Sequence, residues 1–247
     1  MTDLPALTAL LWGTLVLRPY VFLFLAVFLV AGARDLGPLR TAGFLLWGWA
    51  VAFVAAYAST RVGIPFGLYH YTGQTAGAEL YVSNVPFFDP LSFPFLAYAA
   101  HCLARRTLGA GRGAPVVVLA GLLMMLLDVV IDPLAVRGDR WFLGRVFYYP
   151  AGGIYFGVPL SNFAGWALVG WLIVGGFAWA GRRRPPAPGA PGPGVGLYWG
   201  VLLVNLLITM WIGEWALAGA GILVHAAGFL ILYGLSMSTT ARRIGRR

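Results

Sequence analysis

Long apolar runs separated by short polar segments dominate the chain, and their lengths predict membrane-spanning helices. Crossing about 30 Å of hydrocarbon takes roughly 20 apolar residues in an α-helix. Seven windows approach that length, so we predict an all-α fold: a polytopic transmembrane helix bundle of about seven spans. The predicted spans are 8–32, 40–61, 88–105, 114–136, 160–181, 196–217 and 219–239.

Three local features affect this division into spans. Arg18 and Pro19 lie inside the first run, so we predict either a kink there or an interfacial segment before the span. The last two runs are separated only by Gly-Ala-Gly at 219–221, where we place the break. Residues 182–195 are rich in Arg, Pro and Gly, the composition of a flexible cytoplasmic linker, but apolar runs lie on both sides of them. We therefore predict one integral membrane domain over residues 1–247.

Composition supports a membrane protein over the other classes. Hydrophobic residues make up 60% of the chain and charged residues 10%, and the mean hydropathy is +0.81. A soluble domain carries about 25% charged residues. The net charge of +9 would suggest nucleic-acid binding in a soluble protein, but all 17 basic residues are Arg and most lie between apolar runs. We assign them to topology and to contact with anionic membrane lipid, and we predict no nucleic-acid partner.

The distribution of Arg residues also predicts which side each loop faces. With seven spans, twelve Arg residues fall in the loops of one side and four in those of the other. The positive-inside rule then places the N-terminus outside and the C-terminus in the cytoplasm. The aromatic-rich loops around 62–88 and 137–160 then share the outer face with the end of the fourth span. Irregular backbone at membrane depth lines a cavity or is buried in protein, so we predict a site at this face.

Asp128 and Asp132 give the strongest indication of chemistry. The chain has only 8 acidic residues, and an ionised Asp at the centre of a spanning helix costs about 2.5–3.5 kcal/mol on insertion scales. Their spacing of four places both on one helical face. Pro133 predicts that the helix ends at or near Asp132, so burial and the helix dipole both favour a protonated carboxyl, suited to donate a proton. The alternative is a structural salt bridge to Arg137, Arg140 or Arg145.

Three further polar residues lie near the same face. Glu214, between two Trp residues, is predicted either to orient water or hold a proton, or to be solvated at the interface. His70 lies in an aromatic loop, where hydrogen-bonded scaffolding is the commoner role of a lone His. Asp89 precedes Pro90 and is predicted to be an N-terminal helix cap. No two His residues have metal-ligand spacing, so we predict no metal site.

Aromatic side chains in the loop after the fourth span allow two interpretations. Loop aromatics beside a membrane are most often interfacial anchors. Around a buried acid, their π faces instead stabilise a carbocation by cation–π contacts worth up to about 2 kcal/mol when desolvated. The residues concerned are Trp141, Tyr148, Tyr149, Tyr155 and Phe156.

Three segments carry a resemblance to a known family. They are FGLYHYTG at 66–73, VPFFDPLSFPFLAY at 85–98 and VIDPLAVRGDRWFLGRVFYYPAGGIYFGVPLSNFAGW at 130–166. Together with the overall size and hydropathy, they resemble the membrane-bound carotenoid 1,2-hydratases of bacteria and archaea, also called carotenoid biosynthesis proteins. The resemblance covers about residues 40–235, and the segment 130–166 is its most specific part.

This resemblance implies hydration of a terminal isoprene double bond of an acyclic or monocyclic carotenoid, such as γ-carotene or lycopene, to a tertiary alcohol. Protonation of the less substituted alkene carbon gives a tertiary cation that captures water, so we predict no cofactor. The predicted partners are carotenoid, water and membrane lipid, and no oligomeric state is predicted. We predict Asp128 or Asp132 as the acid, and Glu214 or His70 as the group that positions water. The predicted substrate-binding residues are Trp141, Tyr148, Tyr149, Tyr155, Tyr69, Tyr71, Arg137 and Asn162.

Other functions remain open on the sequence alone. A carotenoid cyclase begins with the same protonation and ends by ring closure. The spacing Asp-x-x-x-Asp also suits magnesium and a diphosphate, as in a membrane prenyltransferase, although such enzymes generally need two acidic clusters. A proton-coupled transporter or an isoprenoid-binding membrane protein would use the same acids, but no internal repeat is visible.

Overall fold

The computed structural model describes residues 4–109, 113–181 and 190–244, with only the backbone described for 238–244. Long helices form the framework, and short strands occur in the loops between them. The helices are α1 Leu4–Leu17, α2 Pro19–Asp35, α3 Pro38–Val62, α4 Phe88–Leu108, α5 Ala114–Ala135, α6 Leu160–Ala180, α7 Gly192–Trp211 and α8 Trp215–Ile244. The strands are β1 His70–Tyr71, β2 Tyr81–Val82, β3 Val85–Pro86 and β4 Phe147–Tyr148, and Gly138–Arg140 forms a 3₁₀ turn.

The helical bundle agrees with the predicted fold class, whereas the number of spans differs. Five helices in the described part of the chain are long and apolar enough to cross a membrane, and the bent pair α1–α2 would make a sixth. The remaining helix, α4, is the predicted third span. It packs against α2, α3, α5, α6, α7 and α8, and most of its side chains are buried. α4 therefore lies inside the bundle, and little of its surface is left to face lipid.

The first predicted span consists of two helices. α1 and α2 meet at Arg18 with a bend of 91°. Pro19 begins α2, a position where its missing N–H removes no intrahelical hydrogen bond. Arg18 itself is only 2% exposed and turns into the protein. The predicted interruption at Arg18-Pro19 is therefore confirmed.

The break between the last two helices lies earlier than predicted. α7 ends at Trp211 and α8 begins at Trp215, with Gly213 at a φ of 79°, a left-handed conformation that favours glycine. The predicted break at 219–221 is wrong, because Gly219 and Gly221 lie within α8. A Cβ on Gly221 would lie 2.6 Å from a methyl carbon of Val130, so this small residue permits close helix packing and does not form a turn.

Two other predicted boundaries need correction. α5 ends at Ala135, within one residue of the predicted span 114–136 but three residues beyond Asp132, near which Pro133 predicts a helix end. Pro133 is tolerated in the last turn, since the turn is closed by the Val136 amide, which donates to the Asp132 carbonyl at 2.9 Å. Residues 192–195, predicted as linker, form the first turn of α7, and residues 182–189 of that linker lie outside the described residues.

α5 and α6 approach each other closely through glycine. A Cβ on Gly170 of α6 would lie 2.9 Å from the Cα of Gly121 of α5. A Cβ on Gly121 would lie 2.8 Å from the carbonyl oxygen of Ala167 and would overlap the Trp171 ring. Small residues at such crossings let two backbones pack together. This contact fixes the position of α6 relative to the acidic end of α5.

Substitution of Gly121 tests that contact. We expect Gly121→Val to lower the free energy of unfolding by at least about 1–3 kcal/mol, because the added methyl groups overlap α6. Thermal unfolding of the purified protein in detergent micelles measures the change. Gly43→Val is the matched control, since Gly43 is also helical and a Cβ there meets nothing within 4 Å. Equal Tm values for the two variants would contradict the tight crossing.

The two aromatic-rich loops lie together, as predicted. β1 from the first loop pairs with β4 from the second in antiparallel register, with His70 opposite Tyr148 and Tyr71 opposite Phe147. The Thr72 amide extends the pairing by donating to the Val146 carbonyl at 2.9 Å. The pairing holds both loops over the end of α5. The membrane face to which they point stays a prediction.

Candidate active site

One amide joins the two aspartates. The Nδ2 atom of Asn162 donates to Oδ2 of Asp128 at 2.6 Å and to Oδ2 of Asp132 at 2.7 Å. The indole Nε1 of Trp166 donates to the same Asp132 oxygen at 3.1 Å. Asn162 and Trp166 are four residues apart on α6, so they share one face, as Asp128 and Asp132 do on α5. Each helix therefore contributes a matched pair of side chains to one buried cluster.

The aspartates are buried without a counter-ion. Asp128 is 0% exposed and Asp132 is 9% exposed. None of the ion pairs between described residues includes either carboxyl. The alternative prediction, salt bridges to Arg137, Arg140 or Arg145, is therefore wrong for this part of the structure. Two carboxyls that share one amide donor at this depth repel each other if both are ionised.

Glu214 forms ion pairs with Arg137 and Arg140, two of the three Arg residues that were predicted as alternative partners of the aspartates. Its carboxylate pairs with Arg137 at 3.1 Å and also with Arg140. Arg137 further donates to the carbonyls of Pro133 and Phe156 at 2.8 and 2.7 Å, which ties the end of α5 to the second aromatic loop. No hydrogen bond between described residues joins Glu214 to either aspartate. These contacts join α5, the second aromatic loop and Glu214 at the outer edge of the site, which we call the rim. They give no support to Glu214 as the water-positioning group.

Asp132 lies where two cavities meet. The larger, which we call the apolar chamber, has a volume of about 90 Å³ and lies between α2, α4, α5 and α7. The smaller, the inner chamber, has a volume of about 30 Å³ and lies beneath the paired loops. The apolar chamber is lined by, among others, Tyr20, Phe24, Phe95, Ile131, Trp141 and Val201. The inner chamber is lined by, among others, Phe66, Tyr69, Phe93, Tyr149 and Asn162. Both are lined by Asp89, Asp132, Phe147 and Trp166.

The aromatic residues of β4 and the tyrosine that follows it alternate between the inner chamber and the outer rim of the site. Phe147 and Tyr149 face the inner chamber, whereas Tyr148 is 37% exposed and lines an open hollow outside it. This is the alternation of an extended strand. Burial raises the pKa of the Tyr149 phenol, so that hydroxyl stays protonated. Tyr148 packs near Arg145 and His70 and is the predicted cation-stabilising residue that the structure places at the rim.

The other aromatic residues and the histidine predicted for the site also fall into two groups, those that line a chamber and those that do not. Tyr69 and Trp141 line the chambers, and the Trp141 indole donates to the Leu134 carbonyl at 3.2 Å. His70 lies at the rim opposite Tyr148, and Tyr155 packs against Phe156 and Phe163 outside both chambers. Tyr71 does not line either chamber, but its hydroxyl donates to Asp89, which does. The predicted residues thus include both aspartates and, as a substrate-binding residue, the Asn162 that joins them, together with several residues that lie at the rim.

Two residues of the site were missed or misread. Trp166 ends the most specific family-like segment, and its spacing of four from Asn162 was the available signal. Asp89 was predicted to be a helix cap, but Phe87 occupies the cap position and no side-chain capping hydrogen bond is present at this helix start. The α4 helix begins one residue before Asp89, which turns its carboxyl toward the chambers. Pro90 fits because the first turn has no N–H hydrogen bonds to lose.

No group of three or more His, Cys, Asp or Glu side chains in the described ranges is placed to hold a metal ion. The donors that line the chambers are two indoles, three phenols, two amides and one serine hydroxyl, with carboxyl groups as acceptors. Such a set can bind water and move a proton. The absence of a cofactor stays a prediction.

Comparisons with known proteins agree with the resemblance of the three segments. A family model described as "Carotenoid biosynthesis protein" matches residues 15–231. A curated protein named bisanhydrobacterioruberin hydratase, from Haloarcula japonica, is 33% identical over 239 residues, which covers 90% of this chain and 78% of the relative. No solved structure shows significant similarity to this chain.

Proposed function

Because the chain belongs to the carotenoid biosynthesis protein family, we propose that it adds water across a terminal isoprene double bond of an acyclic or monocyclic carotenoid such as γ-carotene or lycopene. The observation that carries the proposal is the setting of Asp132. This carboxyl is tied to a second carboxyl by Asn162 and faces a chamber with mainly apolar walls. The name of the hydratase relative supports the same reaction.

Asp132 is the proton donor in this proposal. It transfers its proton to the chain carbon of the terminal double bond, and the positive charge develops on the carbon that bears the two methyl groups. The N–H groups of Asn162 and Trp166 already point at Asp132 Oδ2 and stabilise the carboxylate that is left. Asp128 does not line either chamber, so its role is to hold a proton next to Asp132.

Aromatic rings surround the place where the cation forms. Phe147 and Trp166 line both chambers, and the Trp166 ring stacks on Phe93 with centroids 4.4 Å apart. A desolvated cation–π contact is worth up to about 2 kcal/mol, so several rings lower the barrier to protonation. The apolar residues on α2 and α7 would hold the hydrocarbon chain, which reaches the protein from the lipid phase.

Pigment analysis tests this function. The chain is expressed in a host that makes lycopene or γ-carotene. The carotenoids are then separated by chromatography, and their molecular masses are measured by mass spectrometry. We expect a product that has gained one water. An isomer of unchanged mass would instead indicate a cyclase, and a longer chain a prenyltransferase. Unchanged pigments of both kinds would overturn the proposal and leave a transporter or binding protein.

A further inference from the structure

A third carboxyl faces the same space as Asp132. Asp89, near the start of α4, lines both the apolar and the inner chamber, as Asp132 does. The two residues come from different helices and from segments more than 40 positions apart in the chain. A molecule lying where the chambers meet therefore has both Asp132 and Asp89 among the residues around it.

The surroundings of Asp89 differ from those of Asp132. Its Oδ2 accepts a hydrogen bond from the Tyr71 hydroxyl, which in turn lies 3.1 Å from the Tyr69 hydroxyl. Burial raises the pKa of both phenols well above the usual range, so they remain protonated and can donate. No ion pair between described residues includes Asp89, and no other side chain among them donates to its carboxyl; the Ser92 hydroxyl donates to the Asp89 backbone carbonyl instead. A hydroxyl donor without a competing cation stabilises a carboxylate and leaves its second oxygen available to accept a proton.

We propose that Asp89 is the catalytic base that takes a proton from the water molecule as this water attacks the carotenoid cation, an assignment that rests on the proposed hydratase function. The C–O bond forms between the water oxygen and the carbon bearing two methyl groups. The O–H bond of that water breaks at the same time, and its proton passes to Asp89. The proton gained by Asp89 replaces the one lost by Asp132 through water in the shared chamber, so one water is consumed per turnover. Tyr71 and Tyr69 are positioning residues that orient the Asp89 carboxylate.

Deuterium exchange separates this role from that of Asp132. Purified enzyme in detergent is incubated with lycopene in D₂O, and both the hydrated product and the deuterium content of the remaining lycopene are measured. A cation that forms and is not captured by water loses a proton again and returns as lycopene that carries deuterium. Exchange therefore reports on protonation alone, whereas product reports on protonation followed by water capture.

We expect Asp89→Asn to lower hydration by a factor of about 10²–10⁴, the usual contribution of a general base, while deuterium exchange into lycopene continues. Asp132→Asn is expected to abolish both hydration and deuterium exchange. Tyr71→Phe keeps the ring and removes the hydroxyl, and we expect it to lower the ratio of hydration to exchange by about tenfold. Asp139→Asn makes the same chemical change at an exposed acid outside both chambers and is expected to behave as the unsubstituted enzyme.

The outcomes decide between the possibilities. The assignment of Asp89 as the base is overturned if Asp89→Asn hydrates at the full rate. It is also overturned if the folded Asp89→Asn variant loses exchange as well as hydration. In both cases the proposed hydratase function still stands. If Asp89→Asn does not fold, an unchanged ratio of hydration to exchange in Tyr71→Phe overturns it. If the unsubstituted enzyme neither hydrates nor exchanges lycopene and γ-carotene, the proposed function fails, and the assignment fails with it.

Discussion

Asp132→Asn is expected to lower the rate of carotenoid hydration by a factor of at least about 10²–10⁴, the contribution typical of a positioned general acid. The amide has nearly the same shape as the carboxyl, so α5 and α6 remain packed, but an amide has no acidic proton to donate to an alkene. The loss should appear in turnover and not in protein yield. Product formation from lycopene by the purified protein measures it, with gel filtration in detergent as the test of folding.

Two variants give this experiment its comparison. Asp139→Asn changes an exposed acid on the 3₁₀ turn after α5 and should leave turnover unchanged. Asp128→Asn removes the partner carboxyl that does not line a chamber, and we expect a smaller loss than for Asp132→Asn. If Asp128→Asn and Asp132→Asn both retain full activity, the pair is not the acid and the proposed mechanism is wrong.

The acid pair was predictable because its signal is local. A spacing of four within an apolar run fixes two carboxyls on one helix face whatever the rest of the fold. The amide that joins them was included among the predicted residues, but its hydrogen bonds depend on how α6 crosses α5. That crossing is set by Gly121 and Gly170, whose contact is not visible in hydrophobic periodicity. Sequence reasoning therefore identified the members of the cluster more readily than their arrangement.

Errors arose where one local rule competed with packing. Pro133 predicts a helix end, but its position in the last turn costs only one hydrogen bond, and α5 continues to Ala135. The small residues at 219–221 suggest a turn, but Gly221 instead permits contact with Val130. Asp89 before a proline resembles a cap, yet α4 begins one residue earlier. In each case the local pattern is compatible with two structures, and tertiary contacts select one.

The largest predicted effect on stability concerns the ion pair between Arg18 and Glu79. The residues around Glu79 in the sequence do not indicate that it forms an ion pair, because its partner Arg18 lies 61 positions away, at the bend between α1 and α2. The guanidinium donates to both carboxylate oxygens, at 3.2 and 2.8 Å, and the two side chains are 2% and 0% exposed. Arg18 also donates to the Leu143 carbonyl and lies 4.3 Å from the centroid of the Phe88 ring. Phe88 and Leu143 both line the apolar chamber, so the pair supports one wall of the site.

We expect Glu79→Leu to lower the free energy of unfolding by about 3–5 kcal/mol, because it leaves the Arg18 charge buried and unpaired. The double variant Arg18→Met with Glu79→Leu removes that charge, and we expect it to recover most of the lost stability. Denaturant titration of the purified protein in micelles, followed by helical circular dichroism, measures all three proteins. Asp139→Leu changes an exposed acid and is expected to stay within about 0.5 kcal/mol of the unsubstituted protein. A double variant no more stable than Glu79→Leu would show that the unpaired Arg18 charge is not the source of the lost stability. The loss would then come from the Glu79 carboxylate itself, which also accepts a hydrogen bond from Thr75 within the first aromatic loop.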